Sequence, residues 1–424
     1  MKNFLLKLFG NKTNQSYIGK KFINIKKNTK VSVIFDAVSS FKNDAEIRYV
    51  GGCVRKSIND EKIDDIDLAT NLKPEEIKRA LSSKGIKYYE TGIEHGTITA
   101  VIQNKNFEIT SLRKDLKTDG RHAKVEFTND WKEDASRRDF SINAVYADLN
   151  GNIFDPYNGL EDLKFGKINF IGDADKRIKE DYLRILRYIR FFASYSKEEH
   201  STKIKKIIKQ NIKGISNLSK DRLISELKKL IVSKSIIKVS TDSFLKELLV
   251  LVFPQLINLN KLNKLNKYAK ENLEKKDYIF LLALLIIDET DNAEYFLYKY
   301  NVSNELKKRI IFLKNYYDKG IDISFFTVKN LNKIFYYNDK IHLLDFIDFY
   351  LFSSNKNNKK IIDFKKSYEN KIKPDFPINT REMMNKYNLS EGRELGQKIK
   401  NLESIWVDNN FKISNSEIDR IFSN

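Results

Sequence analysis

Residues 47–67 read Ile47-Arg48-Tyr49-Val50-Gly51-Gly52-Cys53-Val54-Arg55-Lys56-Ser57-Ile58-Asn59-Asp60-Glu61-Lys62-Ile63-Asp64-Asp65-Ile66-Asp67. Ile47–Val50 carries β-forming residues and predicts a strand that runs into a glycine pair. Neither glycine has a Cβ, so backbone N–H groups there can approach a phosphate closely. Arg55 follows where a helix would start and is placed to neutralise that phosphate. Residues 63–68 predict a second strand. Asp65 and Asp67 are two apart on it and leave the same face, while Ile66 and Leu68 point to the core. Two adjacent carboxylates repel unless a divalent cation joins them, and hard oxygen donors suit Mg²⁺. Asp-x-Asp alone is common on exposed strands; some 13 residues after Gly-Gly it gains weight.

Working outward, 73–84 predicts a helix with Pro74 in its first turn. Thr97–Ile102 and 107–112 alternate and predict a hairpin joined by Asn104-Lys105-Asn106. Glu108 and Thr110 share one face of the second strand, Phe107 and Ile109 the other. Beside the Asp65 strand, Glu108 would complete a three-carboxylate cluster; otherwise it is a solvent-facing residue on an edge strand. Residues 114–132 are polar with little periodicity and read as a mobile loop. Arg137-Arg138-Asp139, followed by Asn143, offers phosphate donors and an acceptor for a ribose hydroxyl, or else a charged helix cap. Residues 141–147 predict a strand or a helix start. Upstream, 31–41 predicts a short helix and 1–30 a loose, basic arm.

After Asp155-Pro156 the texture changes, and from about residue 173 apolar residues recur at helical spacing. Residues 175–193 read as one helix with Ile178, Tyr182, Ile185, Leu186, Ile189 and Phe192 on one side. Arg177, Glu180, Asp181, Arg184 and Arg187 fall on the other. Asp181 and Arg184, three apart, would present an acceptor and a donor fork together, able to hydrogen-bond the edge of a nucleobase. An ordinary ion pair between successive turns is the alternative.

The chain carries a formal charge of +20 over 424 residues, which points to a polyanionic partner or to solubility charge alone. Residues 1–200 hold 36 basic and 30 acidic side chains, and 201–424 hold 41 and 27, so most of the excess lies in the helical half. Twelve of the 16 arginines fall between Arg48 and Arg222, where planar, bidentate donors have geometric use. Lys203, Lys205, Lys206, Lys209 and Lys213 make the densest basic patch. Cys53 alone excludes an intramolecular disulfide and fits a reducing, cytoplasmic location. The longest apolar run, 278–287, has ten residues, about half the ~20 a bilayer crossing needs, and reads as a buried helix; no membrane partner is expected.

Taken together, Gly51-Gly52-x-Val54-Arg55, Asp65-x-Asp67, Glu108, Arg137-Arg138-Asp139, Asp155-Pro156 with Gly159, Glu180-Asp181-x-x-Arg184 and Arg222-x-x-x-Glu226 resemble, in order, the motifs of class II tRNA nucleotidyltransferases. These CCA-adding enzymes share their head with bacterial poly(A) polymerases. The resemblance is dense over about 47–230, and Gly120-Arg121-His122-Ala123 looks like the α-proteobacterial and mitochondrial branch. A weaker echo returns near 392–411, and 235–385 match nothing beyond helices.

The resemblance implies an α+β fold: a nucleotidyltransferase head with a mixed sheet (31–165) after the arm (1–30), then a helical neck (166–235), body (236–330) and tail (331–424). It implies that Asp65 and Asp67 ligate Mg²⁺ ions, with Glu108 supporting them. Gly51, Gly52, Arg55 and Arg187 would hold the triphosphate. Arg138, Asp139 and Asn143 would contact phosphate and ribose, and Asp181 and Arg184 would select C or A. The loop at 114–132 would help switch from C to A. The basic helical half, with the Lys203–Lys213 patch, would grip the acceptor and TΨC arms of tRNA, with CTP and ATP as substrates and the oligomeric state open. A poly(A) polymerase or an enzyme restricted to CC or A addition shares every head motif, and a non-catalytic RNA-binding protein is the reading from another class. The family usually has an acid after the first-motif arginine; here it is Lys56, which puts the geometry of the following loop in question.

Overall fold

In the computed structural model, which describes residues 13–117, 124–233, 235–354 and 358–422, Ile47–Val50 is strand β1. Two helices precede it, α1 (Thr13–Thr29) and α2 (Ser32–Ser39). The segment read as a loose arm is thus helical from Thr13. Its weak patterning hides Phe22, which is fully buried and packs at a tilt on Tyr49 with ring centroids 5.0 Å apart.

β1 runs through Gly51 into α3 (Gly52–Ile58), and β2 (Ile66–Thr70) follows. After α4 (Pro74–Ser83) come β3 (Lys87–Gly92), β4 (Thr97–Ile102) and β5 (Lys105–Ser111). Gln103 and Asn104 turn the β4–β5 hairpin, both with positive φ, the signature of a tight two-residue connection. The sheet order is β3-β4-β5-β2-β1, extended by β8 (Tyr146–Ala147) and β9 (Ile153–Phe154). β2 and β5 are parallel and the other pairs antiparallel, so the sheet is mixed, as expected.

Residues 114–132 depart from the loop reading. Arg113–Lys117 (β6) and Lys124–Phe127 (β7) pair as a separate ribbon, and α5 (Trp131–Ser136) follows. Gly120, Arg121, His122 and Ala123 lie outside the described residues.

Beyond the sheet, α6 (Gly159–Phe165) is capped by Asp155, whose carboxylate accepts from Gly159 N at 2.8 Å and Leu160 N at 2.9 Å. A Cβ on Gly159 would lie 2.2 Å from the Ser141 carbonyl oxygen. Because that oxygen belongs to the backbone turn Ser141–Asn143, it cannot rotate away. Gly159→Ala is expected to cost about 1–3 kcal/mol, measured as a lower urea midpoint at unchanged slope.

The helix read over 175–193 is two helices, α7 (Ala174–Glu180) and α8 (Leu183–Tyr195). Asp181 between them is extended, at φ −153° and ψ 103°. Its carboxylate accepts from Leu183 N at 3.1 Å, so the side chain serves as a local cap and starts a new helix instead of continuing the old one. α9 (Thr202–Asn211) and α10 (Lys220–Ile231) follow.

The chain divides into two compact units, Met1–Glu226 and Leu227–Asn424. The segment read as the head and most of the segment read as the neck, up to Glu226, fall in the first unit. Phe140 joins them: it is fully buried against Phe170, Tyr188 and Phe191, with ring centroids 4.7, 6.4 and 5.5 Å away. Among its described residues the second unit has helices joined by loops and no strand. Tyr278–Ile286 is buried along almost its whole length, as its apolar run predicts. Arg309 joins this helix to Lys340–Ser353, donating to Asp277 Oδ2 and Asp345 Oδ2 at 2.6 Å each. No helix among the described residues is long and apolar enough to cross a membrane.

Candidate active site

The strand–turn–helix at Gly51 sets the site. Gly51 has φ +67°, a left-handed conformation that glycine adopts without strain. A Cβ there would lie 3.5 Å from Arg138 Nη1, an ordinary contact, so the positive φ and not the space is what calls for glycine. The Cys53 thiol approaches the Val50 carbonyl at 3.3 Å and that of Asp67 at 3.5 Å, tying the start of α3 to β2. Burial pushes that thiol up to about 12, so it stays protonated and serves packing.

Asp67 and Glu108 are register partners on the parallel strands β2 and β5. The conditional reading of Glu108 is met in its first part: its strand does lie beside the Asp67 strand. Asp65, however, precedes the first residue of β2 and stands outside the pleat, so strict alternation does not bring it to Glu108. Among the described residues no group of three or more His, Cys, Asp or Glu side chains is gathered at metal-binding spacing. The expected three-carboxylate cluster is therefore not pre-assembled. The donor set nonetheless suits a hard divalent cation: carboxylate oxygens only, with Asp65 and Glu108 exposed and Asp67 half-buried.

Arg55 is buried. The partners that hold it are neutral: its Nη1 donates to Asn143 Oδ1, and its guanidinium lies 4.7 Å from the Phe191 ring centroid and 5.1 Å from that of Tyr195. Its Nε has no hydrogen-bond partner. Arg187 and Arg190 also approach the Phe191 ring, at 5.3 and 4.2 Å. Arg187 and Arg190 each have a carboxylate partner, Asp139 and Glu226, so of the three guanidiniums Arg55 is the one whose charge a bound anion would balance.

Asp139 organises this group. Its Oδ1 accepts from Phe140 N and Asn143 Nδ2, each at 2.9 Å, and its Oδ2 accepts from Arg187 Nε at 2.6 Å. Burial alone would raise its pKa, but Arg187 and these donors outweigh it and hold the carboxyl at about 2. A depressed carboxyl stabilises the fold at every pH above its unfolded value near 4, and that contribution fades only as the pH falls toward 2. One lone-pair direction on Oδ2 is left for a further donor.

Asp134 was missed in the sequence. It is almost fully buried and accepts from Arg137 Nη2 at 2.7 Å, Arg138 Nη2 at 3.2 Å, the Tyr146 hydroxyl at 2.7 Å and Arg113 N at 3.3 Å. Burial would raise its pKa; Arg137 and Arg138 reverse that and keep it well below the usual carboxylate range. Its position three and four residues before two arginines was the available signal.

Asp181 and Arg184 do not pair. Asp181 Oδ2 accepts from Arg222 Nη2 at 2.8 Å. Arg184 is buried; its Nη1 donates to Arg177 O at 2.6 Å and Glu180 Oε2 at 2.8 Å, and its Nη2 to Arg137 O at 3.3 Å. The helix break at Asp181 leaves the two side chains with different partners, Arg222 for one and Glu180 for the other. The Arg222-x-x-x-Glu226 pattern gains a structural meaning here: Arg222 holds Asp181, and Glu226 holds Arg190.

Residues 47–169 match the family model described as the poly A polymerase head domain. The chain is 45% identical over 194 residues to the CCA tRNA nucleotidyltransferase 1, mitochondrial, of Danio rerio, an alignment covering 45% of each chain; it thus spans about half the length of that relative. Against the Mus musculus protein of the same name it is 31% identical over 399 residues, 89% of this chain and 86% of the relative. Among solved structures, the Bacillus stearothermophilus CCA-adding enzyme in complex with CTP superposes with a TM-score of 0.71 at 19% identity, covering 93% of this chain and 96% of that one.

Proposed function

Because the chain belongs to the family of CCA tRNA nucleotidyltransferases, we propose that it adds C, C and A to tRNA 3′ ends from CTP and ATP, without a nucleic-acid template and with release of pyrophosphate. In the reaction the 3′-hydroxyl oxygen of the tRNA bonds to the α-phosphorus of the nucleotide, and the bond from that phosphorus to pyrophosphate breaks. The observation that carries the reading is Arg55: a buried guanidinium with neutral partners, on the helix after the glycine turn, with the Asp67 strand next to β1 and the Glu108 strand beyond it. A buried cation without a counter-charge is costly on its own and suited to a triphosphate.

The family works with divalent metal ions, and we take the ion here to be Mg²⁺, held by Asp65 and Asp67 with Glu108 in support. Bound there, it would make the 3′-hydroxyl more acidic and neutralise charge on the departing pyrophosphate. The chain's own groups do the rest. The Gly51-Gly52 backbone and Arg55 receive the triphosphate, with Arg138 beside the turn and Arg187 behind it. Asn143 holds Arg55, and Asp139 holds Arg187 while offering its remaining lone pair to a ribose hydroxyl. Asp181, held in place by Arg222, and Arg184, once released from Glu180, read the base. Cytosine and adenine both show an amino donor beside an acceptor nitrogen, so one acceptor–donor pair serves both.

We assign tRNA as the polymer partner, its acceptor and TΨC arms gripped by the helical half. The exposed face of α9, with Lys203, Lys205, Lys206 and Lys209, lies opposite the buried Ile207 and Ile208 and suits backbone phosphates. A cytoplasmic location is proposed on the single, buried cysteine.

Three tRNA transcripts test the proposal, ending at the discriminator base, in C and in CC, each incubated with Mg²⁺ and labelled CTP or ATP. Addition is expected to stop after C, C and A in turn. A long adenosine ladder would make the protein a poly(A) polymerase. Arrest at CC, or action on CC ends alone, would make it half of a split pathway. Tight tRNA binding without incorporation would leave an RNA-binding protein.

A further inference from the structure

The loop between α3 and β2 reads Asn59-Asp60-Glu61-Lys62-Ile63-Asp64-Asp65. Three of its acids are each held from a different helix. Asp60, at φ +58°, pairs with Lys21 of α1 at 2.5 Å. Lys21 also donates to Ser57 O at 2.7 Å and Ile58 O at 3.3 Å, the last carbonyls of α3. Glu61 Oε2 accepts from the Tyr195 hydroxyl of α8 at 2.9 Å, the same tyrosine whose ring lies beside Arg55. Asp64 Oδ2 accepts from Lys56 Nζ of α3 at 2.9 Å. The next residue is Asp65.

We infer that Lys56 is a positioning residue: its bond to Asp64 fixes how Asp65 enters β2, while Lys21 and Tyr195 brace the earlier part of the same loop. The inference rests on the reading of Asp65 and Asp67 as cation ligands. Asp65 lies before the first paired residue of β2, so no sheet hydrogen bond sets its direction, and the anchored neighbour must do so. The Lys56–Asp64 pair is more than a quarter exposed on both sides, so it adds little to global stability. Its leverage is on geometry. A fraction of an ångström at a cation ligand matters far more than a surface ion pair does for folding.

Sign separates positioning from simple charge. Lys56→Glu removes a positive charge and adds a negative one near the carboxylates. By charge alone it would tighten divalent binding. By positioning it sets two carboxylates against each other at Asp64 and swings Asp65 away. Binding of Mn²⁺ alone to the full chain, read from the resonance of free Mn²⁺, decides between them. Lys56→Glu is expected to weaken binding about 10-fold, within the range seen when a residue supporting a metal ligand is lost. The swap Lys56→Glu with Asp64→Lys is expected to restore it, and Lys56→Arg to retain it. Thermal unfolding of each variant is expected to match wild type. Unchanged or tighter Mn²⁺ binding by Lys56→Glu, or a swap that fails to restore it, overturns the inference. Asp67→Ala is the separate arm: if it leaves Mn²⁺ binding intact, the assignment of the carboxylates falls, and the role of Lys56 falls with it.

Discussion

Asp67→Ala is expected to lower nucleotide incorporation at least about 10³-fold, a loss of ~4 kcal/mol of transition-state stabilisation. The backbone at this position is fixed independently of the carboxylate. β2 pairs on one side with β1 and on the other with β5, and the Asp67 carbonyl faces the Cys53 thiol. Removing the side chain therefore leaves the sheet and the Gly51 turn in place, and unfolding is expected to stay within about 0.5 kcal/mol of wild type. Binding of tRNA is expected to persist, since it draws on the lysine-rich helical half. Single-turnover extension of a CC-ended transcript with saturating ATP gives the chemical step directly. Glu108→Ala, exposed on the neighbouring strand, is expected to lose less than Asp67→Ala. A rate for Asp67→Ala within about tenfold of wild type would remove this carboxylate from the reaction, because a ligand shared by both reacting oxygens cannot be dispensable.

How much of this site was legible depends on how local its causes are. β1, the glycine turn, α3 and the β4–β5 hairpin follow from alternation and from glycine, and their boundaries are set within a few residues. The pairing of Asp67 with Glu108 was legible only as a condition, since two strands forty residues apart become neighbours through the whole sheet. The break at Asp181 was not legible. The periodicity of 175–193 is helical on both sides of it, and the interruption rests on an aspartate cap together with Arg222, 41 residues further on. Asp134 was passed over because it stands outside the quoted motifs, although helical spacing places it under both Arg137 and Arg138. α1 was missed for a related reason: its packing on Tyr49 is a tertiary cause that a polar, basic segment does not announce. The arginine count was the better guide. Seven of the twelve it singled out bond the polar groups of the site: Arg137 and Arg138 to Asp134, Arg177 and Arg184 to Glu180, Arg187 to Asp139, Arg190 to Glu226 and Arg55 to Asn143.

Asp181→Ala is expected to collapse the choice of nucleotide. In wild type the ratio of kcat/KM for CTP on a discriminator-ended transcript to that for UTP is expected to exceed about 10³, because a site built to hydrogen-bond one edge leaves its groups unpaired against the reverse pattern. Asp181 supplies the acceptor for the base amino group. Without it, cytosine loses one bond and uracil is relieved of one repulsion, so CTP use is expected to fall about 10²-fold and the ratio to drop within tenfold of unity. Arg184→Ala removes the donor to the ring nitrogen and is expected to act in the same direction, with an added cost in folding because Arg184 is buried and ties Glu180 to the carbonyls of Arg177 and Arg137. The informative companion is Arg222→Ala. It keeps the Asp181 carboxylate but releases it from its anchor, so the expected result is a higher KM for CTP and for ATP with discrimination against UTP retained. Such a split between affinity and selectivity would separate the residue that reads the base from the residue that aims it. If Asp181→Ala instead leaves the CTP-to-UTP ratio unchanged while lowering both rates, the break between α7 and α8 is structural, and the base is read by other groups.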